Sequence, residues 1–327
     1  MGALEKRLAR RLAFVSKAMH PALITDLEHL PVENIEARLT DLRKQSSRIV
    51  FLVSTTFSDE LDAGGSNRNR TIRPADWWRE TIARSFPGAT LLKGPEPDSC
   101  LVFTWKPNVG VKLIVGHERR RLSLARRLER FLSTRLQRRH PPGSLSEADM
   151  FALLKGRTVS LIGNSRALSE HTHGAEIDAH DIVIRCNRSP IFHVRSHGAR
   201  TDWLATSAEI PENLPEIKGA SHILWMSPRR DRMPRWLVRF PRLFLYPKDS
   251  NSKLAALTGA RPSTGMMVID LLMRSECAAI DLFGFDFFKS QSVSGSQTKA
   301  SAPHDFDSEE ALVRSWAERD GRLTIHA

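Results

Sequence analysis

The chain has 327 residues, of which 41% are apolar, enough to bury a substantial core and to exclude a disordered chain. No run approaches the about 20 apolar residues of a membrane span, and three cysteines (Cys100, Cys186 and Cys277) are too few for a disulfide scaffold and lack metal-ligand spacing. Lys and Arg total 49 against 37 Asp and Glu, a net charge of +12 that favours anionic partners without choosing among nucleic acid, acidic lipid and phosphorylated or carboxylated small molecules.

The first twenty residues read as a helix, with Leu4, Leu8, Leu12 and Val15 on one stripe and Lys6, Arg7, Arg10 and Arg11 around it. Basic residues interrupt the apolar ones too often for a secretory signal, and with so little cysteine a reducing, cytosolic compartment is expected. A strand follows over 48–54. The Gly- and Asn-rich stretch 58–73 reads as an exposed loop, 77–86 as a short helix, and 100–104 and 111–115 as strands. Between His117 and His140 stand nine Arg and two Glu, net +7, more than half of the whole excess. This run is expected to be a helix with Leu124, Leu128, Phe131, Leu132 and Leu136 as its apolar stripe. Pro141-Pro142-Gly143 then ends it, and the spacing puts a domain boundary there: a basic N-terminal α/β region over 1–143 and a second domain over 144–327.

From residue 144 onward short apolar strands alternate with helical segments. Strands are predicted at 158–162, 181–185, 202–205, 222–226, 243–246, 279–283 and 323–325, most of them nearly continuous apolar runs, as in a sheet covered on both faces. Several run into small polar residues: Gly163-Asn164-Ser165, Asn187, Thr206-Ser207, Ser227 and Asp286. Ligands of open parallel sheets bind beyond the carboxyl ends of the strands, so a doubly wound, Rossmann-like α/β domain with a polar ligand is expected.

Three constellations carry chemistry. In Thr158–Pro190 a strand ends in Gly163, and Asn164 and Ser165 offer an amide and a hydroxyl at a helix start, where backbone N–H groups favour an anion. A second strand then brings Arg185 and Asn187 to the same edge. The string lacks the later glycines of a dinucleotide fingerprint and could by itself be a capped turn. In Arg261–Asp286 the turn Ser263-Thr264-Gly265 precedes an apolar helix, either as a simple cap or as a holder of phosphate and sugar. In Pro303–His326, His304 precedes a helix whose early turns carry Glu309; a neutral imidazole is the best available acceptor of a hydroxyl proton.

In order and spacing the three resemble the large, small and very small sialylmotifs of glycosyltransferase family 29, the eukaryotic-type sialyltransferases. The resemblance implies a metal-independent, inverting enzyme of modified GT-A type that uses a CMP-activated 2-keto sugar acid, sialic acid or Kdo, with no other cofactor. Carried over by position, Gly163, Asn164, Ser165, Asn187, Ser263, Thr264 and Gly265 would bind the CMP donor, Arg185 and Glu309 would support, and His304 would be the general base toward a glycan or lipid-linked acceptor. The family's cysteine pair is incomplete: Val159 stands where one cysteine is expected, while Cys277 remains. That fits a cytosolic, bacterial member. The family's remaining motif is not recognisable over 287–302, where Lys289 and Lys299 are the nearest basic residues.

Other readings compete. Asp305 and Asp307 form an Asp-x-Asp pair of the kind a metal-dependent glycosyltransferase uses. Ser165 with His304 would make an esterase, though the glycine pattern of a nucleophile elbow is missing. A non-catalytic protein that binds anionic surfaces would account for the Arg-rich helix. With no nucleic-acid-reading motif in sight, a peripheral contact with anionic membrane is expected rather than nucleic acid.

Overall fold

A computed structural model of the protein describes residues 3–15, 21–136, 143–286 and 304–326. Contacts divide the chain into two units, 1–58 with 68–128, and 59–67 with 129–327.

In the first unit, helix α1 (Ala3–Val15) is followed by β1 (Ala22–Ile24), α2 (Val32–Gln45), β2 (Ile49–Ser54), α3 (Ala75–Ser85), β3 (Thr90–Lys93), β4 (Ser99–Phe103) and the start of α4 (Val109–Leu136). The sheet has order β1-β2-β4-β3, with β1 and β2 parallel and the other pairs antiparallel. Side chains on a strand point alternately to its two faces. Phe51 and Val53 therefore pack with Ile35 and Leu39 of α2 and Trp78 of α3, whereas Val50 packs with Leu8 and Leu12 of α1 and Val111 and Val115 of α4.

Two expectations fail in this unit. The segment 111–115 is not a strand but the first turns of α4. Asn108 Oδ1 accepts the Val111 N–H and starts the helix, and Val111, Val115 and Glu118, all buried, share one helical face. Nor is 58–73 simply exposed: Asn69 and Thr71 are buried, donating to the carbonyls of Thr56 and Leu30. Hydrogen-bonded amide and hydroxyl side chains stand in for secondary structure there, which polarity alone does not reveal. Leu124 and Leu128 of the predicted apolar stripe are exposed.

The second unit continues with α5 (Glu147–Leu154), β5 (Thr158–Ile162), α6 (Gly174–Ala179), β6 (Ile182–Cys186), α7 (Val194–His197), β7 (Trp203–Thr206), α8 (Leu214–Lys218), β8 (His222–Trp225), β9 (Leu243–Leu245), α9 (Lys248–Thr258), α10 (Thr264–Met273), β10 (Ala279–Phe283), α11 (Phe306–Arg319) and β11 (Leu323–His326). All seven predicted strands are present, with ends differing by at most a residue or so. They form one parallel sheet in the order β11-β10-β5-β6-β7-β8-β9. Val159, Leu161, Ile184 and Leu282 face α5, α10 and α11, while Ile162, Val183 and Phe283 face α6 with Ile177. This is the expected doubly wound α/β architecture.

The chain runs outward from β5 to β9 and then crosses back to place β10 on the other side of β5. The helices following β5 and β10 lie on opposite faces, so the strand order reverses between them and opens a crevice at their carboxyl ends. Gly163, just after β5, donates its N–H to Phe283 O, and Ser165 N donates to Gly284 O. A Cβ at Gly163 would collide with the Gly284 carbonyl, so only glycine lets the two turns approach. The predicted boundary residues Pro141 and Pro142, and Lys289 and Lys299, lie outside the described residues.

Candidate active site

The carboxyl edge of the parallel sheet gathers all three constellations. After β5, Asn164 Nδ2 donates to Cys186 O at the end of β6, at 3.4 Å, while its Oδ1 is buried with no hydrogen-bond partner among the described residues. The Ser165 hydroxyl donates to Asp286 Oδ2 at 2.8 Å and accepts from Ala167 N, so it ties the β5 turn to the β10 turn and caps a short 3-10 helix. After β6, Asn187 holds φ at 57°, a left-handed conformation that asparagine tolerates better than most residues. Its Oδ1 accepts from Thr206 Oγ1 (3.3 Å) and lies 3.5 Å from the Ser207 N–H at the end of β7. Arg188, next in sequence, pairs with Asp59 at 2.6 Å, so the segment 59–67 braces this loop. Asn67 of the same segment is buried and donates to Ile191 O.

The turn before α10 closes the other side. Thr264 Oγ1 donates to Ser207 Oγ at 2.8 Å, joining the small-motif turn to the β7 edge. Ser263 caps α10 by accepting from Met266 N, and a Cβ at Gly265 would come within 2.6 Å of the Phe285 ring. Glu309, 2% exposed on α11, accepts both the Ser263 N–H and the Ser263 hydroxyl at 2.7 Å. Burial holds its carboxyl above the usual carboxylate range. His304 Nδ1 lies 2.7 Å from Arg261 O; a carbonyl only accepts, so Nδ1 carries the hydrogen and the neutral ring presents its Nε2 lone pair. Burial, then the Arg261 charge, lower its pKa, keeping it neutral and ready to accept a proton.

Not every predicted residue faces the crevice. Arg185 is fully buried, and Nε and one terminal nitrogen donate to the carbonyls of Arg200, His197 and Gly198 and to Thr201 Oγ1. Burial pushes it down to about 10. It therefore holds the turn after α7 instead of being delivered to the strand ends, because arginine on a strand buried on both faces must find its acceptors inside. The side chains of Ser263 and Glu309 are likewise engaged with each other. In the alternative Asp-x-Asp pair, Asp305 caps α11: its two oxygens accept from Ser308 N and Ser308 Oγ. Ser207, Phe285 and Asp286 complete the site. Ser207 and Asp286 were legible as polar residues at strand ends, and Phe285 only as the last residue of the small motif's Asp-x-x-Gly-Phe string. The three cysteines are free and buried.

The glycosyltransferase family 29 (sialyltransferase) model matches residues 112–216, which include the large-motif segment and stop short of the other two. A curated mouse (Mus musculus) protein, CMP-N-acetylneuraminate-beta-galactosamide-alpha-2,3-sialyltransferase 1, is 35% identical over 83 residues, covering 20% of this chain and 25% of that protein. The chain thus spans about a quarter of the length of that curated relative. Two solved structures are similar. A mammalian sialyltransferase in complex with Gal-beta-1-3GalNAc-ortho-nitrophenol aligns over 57% of this chain and 75% of its own at 21% identity and a TM-score of 0.42. The sialyltransferase CstII from Campylobacter jejuni, with the substrate analogue CMP-3FNeuAc, aligns over 52% and 81% at 14% identity and a TM-score of 0.36. The family match lies on the Gly163–Asn187 edge of the crevice and makes residues 112–216 similar to glycosyltransferase family 29, the sialyltransferase family.

Proposed function

We propose that the second unit transfers a 2-keto sugar acid, sialic acid or Kdo, from its CMP-activated donor to a hydroxyl of a glycan or lipid-linked glycan, with inversion and without a metal. The observation that carries this reading is the hydrogen-bonded convergence of the three motifs on one crevice: Ser165 to Asp286, Thr264 to Ser207, and Ser263 to Glu309. The family match over residues 112–216 and the CMP-N-acetylneuraminate named for the mouse relative support the choice of donor.

The roles follow from which groups are left over. The first N–H groups of a helix have no intrahelical acceptor, and the Ser263 hydroxyl already serves Met266. The N–H groups of Thr264 and Gly265 then remain for the donor, where the positive end of α10 favours the phosphate that departs with CMP. Asn164 Oδ1, a buried acceptor lacking a donor, suits an amino or hydroxyl group of the nucleoside. The anomeric carbon develops positive charge as the phosphate leaves. His304 Nε2 takes the proton of the attacking hydroxyl, and attack opposite the leaving group inverts the configuration.

Calorimetry with CMP in the presence of EDTA, followed by a donor screen of CMP-sialic acid against CMP-Kdo with mixed glycolipid acceptors, tests the reading. Saturable CMP binding and product from one donor are expected. Absence of binding at millimolar CMP overturns it, and strict metal dependence would favour the Asp305/Asp307 reading.

A cytoplasmic enzyme held peripherally at an anionic membrane is the accompanying proposal. Among the described residues no helix is long and apolar enough to cross a membrane. On α4, exposed Leu113 and Leu124 stand among His117, Arg120 and Arg121, with Arg11 of α1 beside them, an apolar strip with a cationic border suited to lipid headgroups. Sedimentation with anionic vesicles should carry the protein down and high salt should release it. Equal binding to neutral vesicles would refute it.

A further inference from the structure

One cluster of titratable side chains shares no residue with the crevice. His173 stands just before α6, Glu176 lies in its first turn, and His326 is on β11. His173 Nδ1 is 2.8 Å from Glu176 Oε2, His326 Nδ1 is 3.7 Å from Glu176 Oε1, and one donor atom from each residue lies within 4.8 Å of the other two. Tetrahedral zinc bonds of ~2.0–2.1 Å set neighbouring donor atoms about 3.3 Å apart, and the two imidazole-to-carboxylate separations, each to a different Glu176 oxygen, lie on either side of that value.

A second, independent feature lies behind His326. Its Nε2 is 2.7 Å from Asp281 Oδ1, and the other Asp281 oxygen is 2.9 Å from His180 Nε2. A carboxylate accepts, so His326 Nε2 carries the hydrogen, and in the neutral ring Nδ1 is a lone pair pointed toward the Glu176 carboxylate. At that distance the two electron-rich atoms need either a second proton on His326 or a cation between them. A carboxylate accepting from the far nitrogen of a histidine is also how metal-bound imidazoles are held in orientation and made more basic. Stacking of His326 on Phe283, with centroids 4.2 Å apart and planes 13° from parallel, holds the ring in place.

We propose that His173, Glu176 and His326 form a three-ligand site for a divalent cation of the zinc class, with a fourth position open to water and Asp281 orienting His326. Two imidazole nitrogens and one carboxylate oxygen suit Zn²⁺ better than the oxygen-seeking Mg²⁺ or Ca²⁺. The site ties β11, which pairs only with β10 among the described strands, to α6. It takes no part in the proposed transfer reaction.

The test is titration of EDTA-treated, dialysed full-length protein with ZnCl₂ by calorimetry near neutral pH, with thermal unfolding in parallel. One saturable event with micromolar or tighter affinity and a raised Tm are expected. His173→Gln and His326→Gln should each weaken it at least about tenfold, and Asp281→Asn by about ten- to a hundredfold. Co²⁺ in place of Zn²⁺ should give visible absorption that the His173→Gln/His326→Gln protein lacks. His173 lies outside the sheet, just before α6, so its variant keeps the test valid if a β11 substitution unfolds the protein. No saturable Zn²⁺ binding by wild type, or equal binding by both single histidine variants, overturns the site and leaves a proton-dependent ion-pair cluster.

Discussion

The Glu309 carboxylate holds Ser263 by two atoms at once, accepting the backbone N–H and the hydroxyl, each at 2.7 Å. This clamp fixes α11, which follows His304, to the start of α10, where the donor phosphate is proposed to sit. Hydrogen bonds to a charged group contribute about 1.5–3 kcal/mol each, and the freed Ser263 N–H would lie half-buried without its acceptor. Glu309→Ala should therefore lower stability by about 2–3 kcal/mol in urea unfolding and weaken CMP binding along with it. A double-mutant cycle with Ser263→Ala should give strong coupling; additive effects would show that the clamp carries no energy.

His304→Ala should reduce turnover by ~10²–10⁴ while CMP affinity stays nearly unchanged, because the imidazole acts on the acceptor hydroxyl. Since burial lowers its pKa, the acid limb of kcat/KM against pH should fall below the ordinary histidine value of about 6.5. A fully active His304→Ala enzyme would refute the base assignment even if CMP binding were retained.

At Asn187 the backbone and side-chain contributions can be separated. Asn187→Ala places an alanine at φ 57°, costing roughly 1–2 kcal/mol of stability, whereas Asn187→Gly removes that strain. Both lose the amide, and both should weaken CMP binding by about 1–3 kcal/mol in calorimetry. Recovery of CMP affinity by the glycine variant would mean that only the backbone matters.

Gly163→Ala drives a methyl group into the Gly284 carbonyl, and neither backbone segment has a rotamer with which to yield. Overpacking of this kind costs about 1–3 kcal/mol. Thermal unfolding should show that loss together with weaker CMP binding, because the turns after β5 and β10 move apart. An unchanged Tm would contradict the close approach.

Beneath the Asn187 loop, burial pushes Lys218 down to about 7, with the Arg185 charge adding to it, and burial pushes His197 down to about 3. A group whose folded pKa is depressed is bound to fewer protons folded than unfolded, so stability rises with pH between the two values. Lys218 should make stability rise from about pH 7 to the ordinary lysine value of 10.5, and His197 from about 3 to 6.5. For one proton the slope approaches about 1.4 kcal/mol per pH unit. Lys218→Met should flatten the alkaline part of the urea-derived profile; an identical slope in that variant would show that Lys218 is not the titrating group.

The sequence by itself determined the second unit's strands, because runs such as Thr158–Ile162 and Ala279–Phe283 are mostly apolar and run straight into glycine, a pattern that fits a doubly covered parallel sheet. It also marked most of the crevice, since Gly163, Asn164, Asn187, Thr264 and His304 stand in short strings whose spacing reflects local geometry. What it could not determine is which side chains spend their hydrogen bonds on the protein. Arg185 reads like Asn187 from the chain, two residues away, but it still lies within β6, buried on both faces, where backbone carbonyls take it, whereas Asn187 has left the strand at φ 57°. The same limit made 111–115 look like a strand, because Val111 and Val115 fit either period until Glu118 and the Asn108 cap select the helix. Phe285 against Gly265, Thr264 against Ser207, and His326 beside Glu176 and Asp281 are contacts between residues 20 to 150 positions apart. Only the crossover that returns the chain from β9 to β10 brings them together.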